Sequence, residues 1–363
     1  MPIQTAADSI SNSQGSPFGF KNRIINGAMV IDQRNAGASG TANNNYTLDR
    51  WEYFGSQASK GTWQQNAGSV TPPPGFTNYL GFTSSSAYTV GAAESFAFTQ
   101  HIEGLNVADL AWGTANAKTV TLSFWVRSSL TGTFGGSINP TGNTRGYPYT
   151  YTINSANTWE YKTVTIPGDT TGTWGTDNGR GIALRFNLGA GATYSATGNA
   201  WTETDNIFNA TGATSVVATN GATWYVTGVQ LEKGSQATAF DYRPFTTELA
   251  LAQRYYQQIN GNSFVGTAAY GMIGSGIVYT STQADISIPL KVSMRATPTI
   301  SQSSTTIQVG GTLYTSTGIG DAGTTPNVIF VRISNAGTMT VGYGAELLSN
   351  NNTAGYFAAS AEL

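Results

Sequence analysis

Five residues in polar, turn-rich stretches have the chemistry of a sugar-binding site. They are Trp174, Asp177 and Arg180 in GTWGTDNGR, Tyr149 in TRGYPYTY, and Trp201 in GNAWTET. An aromatic ring stacks on the apolar face of a pyranose, while carboxylate and guanidinium groups fork its hydroxyls. Trp174 leads the set because Asp177 and Arg180 follow it closely in one turn-rich stretch. Tyr147 and Trp159, the latter in SANTWEY, are of the same class. The competing reading for every such ring is burial on the edge of a β-sandwich or against a neighbouring subunit, since large aromatics are mostly buried.

Catalytic constellations are harder to assemble. His101 is the single histidine and cysteine is absent, so neither a zinc site of His and Cys nor a disulfide is available. No Gly-x-Ser-x-Gly elbow accompanies His101 to make a Ser-His-Asp triad. The alternation of ESFAFTQHIEG puts His101 opposite Phe96, Phe98 and Ile102, which predicts an exposed or edge position. NLGAGATYSATG reads as a hairpin loop, not a dinucleotide fingerprint, and no phosphate-cradling Gly-x-x-x-x-Gly-Lys loop occurs. Asp169, Asp177, Glu203 and Asp205 lie in or near loops, where two carboxylates could meet at glycosidase spacing. Solvated turn residues or caps on backbone amides are the simpler reading. A Ca²⁺ shared by Asp169 and Asp177 stays open, without an EF-hand pattern. The expectation is a non-enzymatic protein with no cofactor and no assigned metal ligands.

The elements that must hold these residues are β-strands. A chain of 363 residues suggests roughly two or three domains. Charged residues are 10% of it, with aromatics 12% and apolar residues 39%. That is too apolar for disorder and too poor in charge for an average soluble surface; Thr, Ser, Asn and Gly supply the polarity instead. The net charge of -2 offers no basic patch for nucleic acid. No apolar run is long enough to span a membrane, and the start MPIQTAADSISNSQGSPF lacks the pattern of a secretory signal.

Period-two alternation recurs along the chain. Val120, Leu122, Phe124 and Val126 share a face in TVTLSFWVRS, with Thr121, Ser123, Trp125 and Arg127 on the other. Ile182, Leu184, Phe186 and Leu188 share a face in GIALRFNL, and Tyr225, Val229 and Leu231 in TWYVTGVQLE. Half-buried antiparallel strands need this pattern, and TPPPG, GGSINPTGN and GDTTGTWGTDNG supply turns between them. One helix is predicted over about Thr247–Ile259, after Pro244, with Glu248 in its first turn and Gly261 as its stop. Leu249, Ala252, Tyr256 and Ile259 repeat on its apolar side, for packing on a sheet or a short seam against copies of itself. Alternation resumes in ADISIPL and VIFVRIS. The fold class is therefore all-β: an antiparallel jelly-roll sandwich, a short helix and a second, smaller β domain. The expected boundaries are 1–23 for an N-terminal segment, 24–245 for the jelly roll, 246–261 for the linking helix and 262–363 for the C-terminal β domain.

Four stretches carry a family resemblance. NRIINGAMVIDQRNAG with YTLDRW resembles the opening of a domain widespread in bacteriophage tail-fibre and virion structural proteins. TWEYKTVTIPGDTTGTWGTDNGRGIALRFNLG is similar to its middle, a jelly roll like those of carbohydrate-binding modules. GVQLEKGSQATAFDYRPFTTELALAQRYYQ resembles its close and the helix that follows, and PLKVSMRATPTIS the start of the β domain often found next. Ala252 stands where the family often has Cys before Gln-Arg-Tyr-Tyr. The resemblance implies a virion protein, often trimeric, at the distal tail or in fibres and often involved in host recognition, and it fixes no receptor; with the sugar-binding side chains above, the expected contact is host surface glycan. The resemblance also implies attachment to other virion proteins through the N-terminal segment, assembly in the host cytoplasm and residence in the virion, and assigns no catalytic residue. The alternatives are a head-decoration or tail-connector part that only assembles, or a polysaccharide depolymerase, although the β-helical repeats usual in tail depolymerases are missing. Asp49 and Arg50 are expected to act structurally, as an ion pair at a strand start or a surface pair.

Overall fold

The computed structural model describes residues 20–261 and 268–363. Most of the expected attachment segment, residues 1–19, therefore lies outside the described residues. Two compact units are present. The first holds the chain up to Val30 together with Gly37–Thr47 and Trp51–Pro244; the second holds Ile31–Ala36, Leu48–Arg50 and Phe245–Leu363.

The first unit is a β-sandwich. Its strands are β1 (Asn45–Leu48), β2 (Trp51–Gly55), β3 (Gly61–Gln65), β4 (Leu80–Ser84), β5 (Ser95–Glu103), β6 (Val120–Ser128), β7 (Gly132–Asn139), β8 (Tyr147–Ile153), β9 (Glu160–Ile166), β10 (Arg180–Ala190), the short β11 (Ser195–Ala196) and β12 (Asn209–Ala210), and β13 (Thr223–Lys233). One sheet runs β1-β2-β5-β10-β7-β8 and the other β3-β4-β13-β6-β9. Neighbours in the second sheet are antiparallel throughout. Each strand turns one set of alternate side chains toward the opposite sheet. Phe124 of one sheet meets Phe186 of the other with ring centroids 4.9 Å apart, and Phe98 meets Trp224 at 6.0 Å. The apolar faces expected on β6 and β10 are these buried faces.

Two expectations shift here. His101 is 8% exposed on β5, between β2 and β10, not at an exposed edge. Its Nε2 lies 3.3 Å from Glu52 Oε2, a neighbour that lets a polar ring be buried on the sheet's outer face. Tyr225 does not share a face with Val229 and Leu231. A register shift between Thr227 and Gln230 adds a residue to β13, so outward positions change parity at Gly228. Tyr225 therefore packs outward on Tyr79, 5.2 Å away, while Val229 and Leu231 enter the core.

The segment after β13 folds back over it. Glu232 accepts hydrogen bonds from Thr238 N at 2.8 Å and Oγ1 at 2.7 Å, and Gln230 Oε1 accepts one from Asp241 N at 2.8 Å. Asp241 Oδ2 in turn accepts from Lys21 N at 3.0 Å, and Asn22 Oδ1 from Leu231 N at 3.1 Å. The polar residues of GVQLEKGSQATAFDYRP thus tie the start of the domain to its end.

In the second unit a helix, α1 (Phe245–Gln253), leads into β14 (Tyr256–Asn260). The predicted helix over Thr247–Ile259 is corrected at its end: Tyr256 to Asn260 pair antiparallel with β22 (Tyr356–Ser360). Tyrosine and isoleucine suit a half-buried pleat, and the ladder overrides the helical spacing of Tyr256 and Ile259. The remaining strands are β15 (Met272–Thr280), β16 (Gln283–Pro289), β17 (Thr299–Ser303), β18 (Thr305–Val309), β19 (Thr312–Asp321), β20 (Val328–Asn335) and β21 (Gly344–Ser349). Six of them close a barrel in the order β15-β16-β20-β19-β18-β21, and β14-β22-β17 form a small sheet. Ile286, Ile288, Val331, Ile333 and Leu347 fill the core with Phe357.

The second unit also takes its polar interior from early in the chain. Asp49 accepts from Gln33 N at 2.7 Å and Gln33 Nε2 at 2.8 Å, and Gln33 Nε2 also donates to Tyr256 O at 3.0 Å. Arg34 and Arg50 both pair with Glu362, and their guanidinium carbons lie 3.6 Å from the ring centroids of Tyr256 and Tyr255 respectively. Asp49 and Arg50 are buried, with Asp49 held by Gln33 and Arg34 and Arg50 by Glu362. The motifs DQRN, LDR and RYYQ therefore act as one buried network of structural residues.

Candidate functional site

The sequence-predicted set does not converge. Trp174 is 9% exposed, and its Nε1 donates to Asp169 Oδ2 at 3.0 Å. Its ring packs edge-on to Trp112 at 4.6 Å and to Trp201 at 5.7 Å. Trp201 is half-buried, packs on Tyr147 at 5.2 Å and donates to Pro167 O at 2.9 Å. Asp169 is also bound by Arg145 at 2.6 Å, so its carboxylate closes this tryptophan cluster. Asp177 caps its own turn through Gly179 N at 2.9 Å. Arg180 reaches away to Pro140 O at 3.2 Å. Tyr149 is fully buried, its hydroxyl donating to Arg185 O at 2.7 Å. Trp159 folds back onto Tyr79 at 5.5 Å. Among the described residues no group of three or more His, Asp or Glu side chains could hold a metal ion.

A different set of aromatics does converge, on the outer face of β3-β4-β13-β6-β9. The polar face of β6 presents Ser123 and Trp125, and Tyr161 stands opposite Trp125 on β9. Their ring centroids are 5.5 Å apart at 51°, and Tyr161 is 44% exposed. Across β13, Phe76 and Phe240 meet at 5.1 Å, with Tyr242 at 5.5 Å from Phe76. Between these walls lies a concavity of about 360 Å³, lined also by Ser123, Gly228, Ala237, Thr238 and Ala239. None of its lining residues is charged.

Local structure makes the concavity. Gly228 has φ +61°, and a Cβ there would come within 2.6 Å of the Phe76 ring. Glycine is thus required twice, by backbone conformation and by contact. Phe76, directly after the TPPPG turn, and residues 237–240 of the return segment supply the wall opposite Trp125. Rigid rings beside small hydroxyl residues can stack on a sugar and hydrogen-bond its hydroxyls. The sequence carried a signal for this site: a tryptophan on the polar face of an alternating strand. Its partner Tyr161 came from a strand whose outward face is otherwise threonine, Thr163 and Thr165.

No protein-family model matches the chain, and no curated protein matches it. Solved structures similar to it include the enzymatically active domain of bacteriophage CBA120 tailspike protein 4, 14% identical, with TM-score 0.32 over 59% of this chain and 21% of that one. This chain thus spans about a fifth of that tailspike chain. TmCBM61 in complex with beta-1,4-galactotriose is 10% identical, with TM-score 0.30, over 59% of this chain and 99% of that one. The family 11 carbohydrate-binding module of a Clostridium thermocellum cellulosomal cellulase is 12% identical, with TM-score 0.28, over 56% and 99%. At these TM-scores the reading of the site rests on its own geometry.

Proposed function

We propose that the protein is a bacteriophage virion structural protein, a tail-fibre or tail-tip subunit whose first unit holds host surface glycan in the Trp125–Tyr161 groove. The observation that carries the glycan part is the pair of half-buried Trp125 and exposed Tyr161 beside an uncharged concavity of about 360 Å³. The virion part is supported by the motifs quoted above, from DQRNAG to QRYYQ. In this reading the protein binds without catalysis, works as a homotrimer, and attaches to other virion proteins near its N-terminus. Linked copies would raise the avidity of individually weak sugar sites.

The test is binding of the purified protein to a panel of bacterial cells before and after periodate oxidation of their surface sugars. Binding that disappears after oxidation is the expected result. Binding indifferent to periodate, or no binding by the assembled oligomer, would overturn the reading. A second reading, a part that only assembles, draws on the second unit: Ile277, Tyr279, Val341 and Tyr343 are 50%, 52%, 59% and 57% exposed. Large apolar side chains left outward in this way suit contacts with other protein chains.

A further inference from the structure

The outer face of the six-stranded sheet holds two arginines that, among the described residues, pair with no carboxylate. Arg180 and Arg185 both lie on β10. Nη2 of each donates to the same oxygen, Asn143 Oδ1, at 3.3 Å from Arg180 and 3.1 Å from Arg185. Arg185 Nη1 is held by Asn139 Oδ1 at 2.6 Å, and its guanidinium carbon lies 4.5 Å from the centroid of the Phe208 ring. Asn139 is itself fixed, donating to Arg145 O and Ile207 O at 2.9 Å each. Among the described residues neither arginine forms an ion pair; their charged hydrogen bonds end on neutral amide and carbonyl oxygens.

Such an arrangement is unfavourable for an empty site. Burial and the neighbouring Arg180 push the Arg185 guanidinium down to about 9. Two desolvated like charges near each other are stabilised by an anion between them, and a guanidinium fork matches an oxyanion better than it matches one amide oxygen. Glu52 is the acid whose field reaches both arginines, but its Oε2 is engaged with His101 at 3.3 Å. Arg185, 8% exposed, forms the floor. Arg180 and Asn143 are half-buried and Thr141 and Thr144 exposed, so the site opens to solvent along the 140–146 loop.

We infer that Arg180 and Arg185, gathered around Asn143 on the outer face of this sheet, form a binding site for a small oxyanion: the carboxylate of an acidic sugar or a phosphate group. The site is on the sheet opposite the one that carries the uncharged groove. It stands independently of that groove and would let the same unit hold a charged residue of a polymer.

The test uses the full chain at low salt, titrated calorimetrically with glucuronate, with inorganic phosphate and with methyl glucoside as the neutral control. Saturable binding of glucuronate or phosphate, with none of methyl glucoside, is expected, and the tighter of the two identifies the source of the anion. Arg180→Gln, at the rim, weakens it about tenfold, as loss of a charge-assisted hydrogen bond should. Glu52→Gln removes the competing negative charge and tightens it. Trp125→Ala leaves it unchanged, which separates this site from the groove. Arg180→Lys, which keeps charge without the fork, serves if Arg180→Gln fails to fold, and is expected to weaken binding too. Absence of saturable binding by both anions, or equal binding by the wild type and the Arg180 variant, would overturn the inference.

Discussion

Trp174 and Trp125 have the same side chain and opposite environments. Trp174 is enclosed by Trp112, Trp201 and Asp169, so Trp174→Ala is expected to cost about 3–5 kcal/mol in chemical denaturation, the range for a large aromatic removed from a packed site. The same substitution should leave sugar binding intact. Trp125 is half-buried against Tyr161, and its loss should change stability by about 1 kcal/mol or less. His101 offers a pH test. Burial depresses it below the ordinary 6.5, with Glu52 opposing. The folded state therefore prefers the neutral ring: stability from this group is present above pH 6.5 and falls away as pH drops through the lower folded value. As the single histidine, its ring signals in NMR read this directly, and the expected midpoint lies below 6.5. His101→Gln should flatten the acid side of the stability curve. Residue chemistry was legible in part. Polar loops drew attention to Trp174 and Trp201, but loop aromatics here close back on one another. No sequence pattern distinguishes a ring facing water from a ring facing another ring across a loop.

The strand faces of β6, β10, β16 and β20 follow from alternation alone, because each is half-buried and pleated. Two elements did not. At β13 the extra residue near Gly228 inverts the outward parity, and a bulge leaves only a glycine in the sequence as its trace. At Tyr256 the three-four spacing of a helix and the β-preference of Tyr and Ile compete. Pairing with β22, a strand far along the chain, decides in favour of the strand. Gly228→Ala tests the bulge's role. Its φ of +61° and the approach to Phe76 at 2.6 Å disfavour any side chain. The expected effect is destabilisation of about 1–3 kcal/mol and loss of groove binding together. Full stability with normal binding would show that the backbone and Phe76 adapt freely.

At the scale of the whole molecule, the chain alternates between its two units, passing from one to the other after Val30, Ala36, Thr47, Arg50 and Pro244. A reading of consecutive domains misses this, because short early motifs complete the interior of the second unit. Asp49 and Arg50 were legible as structural residues, but not their partners: Asp49 is held by Gln33 and Arg34, and Arg50 by Glu362, far along the chain. Arg50→Ala removes one of the two arginines that pair with Glu362 in a buried setting, and should destabilise the second unit by about 3 kcal/mol, the low end for a broken buried pair because Arg34 stays in place, read by hydrogen exchange of β14 and β22. Unchanged protection there would argue against the network's structural role.

The proposed sugar site is the outer face of β3-β4-β13-β6-β9, not the tryptophan cluster. A glycan array probed with the wild type, Trp125→Ala and Trp201→Ala tests it most directly. Trp125→Ala is expected to abolish the wild-type signals and Trp201→Ala to retain them. The reverse pattern, with Trp125→Ala binding normally and Trp201→Ala silent while folded, would contradict it.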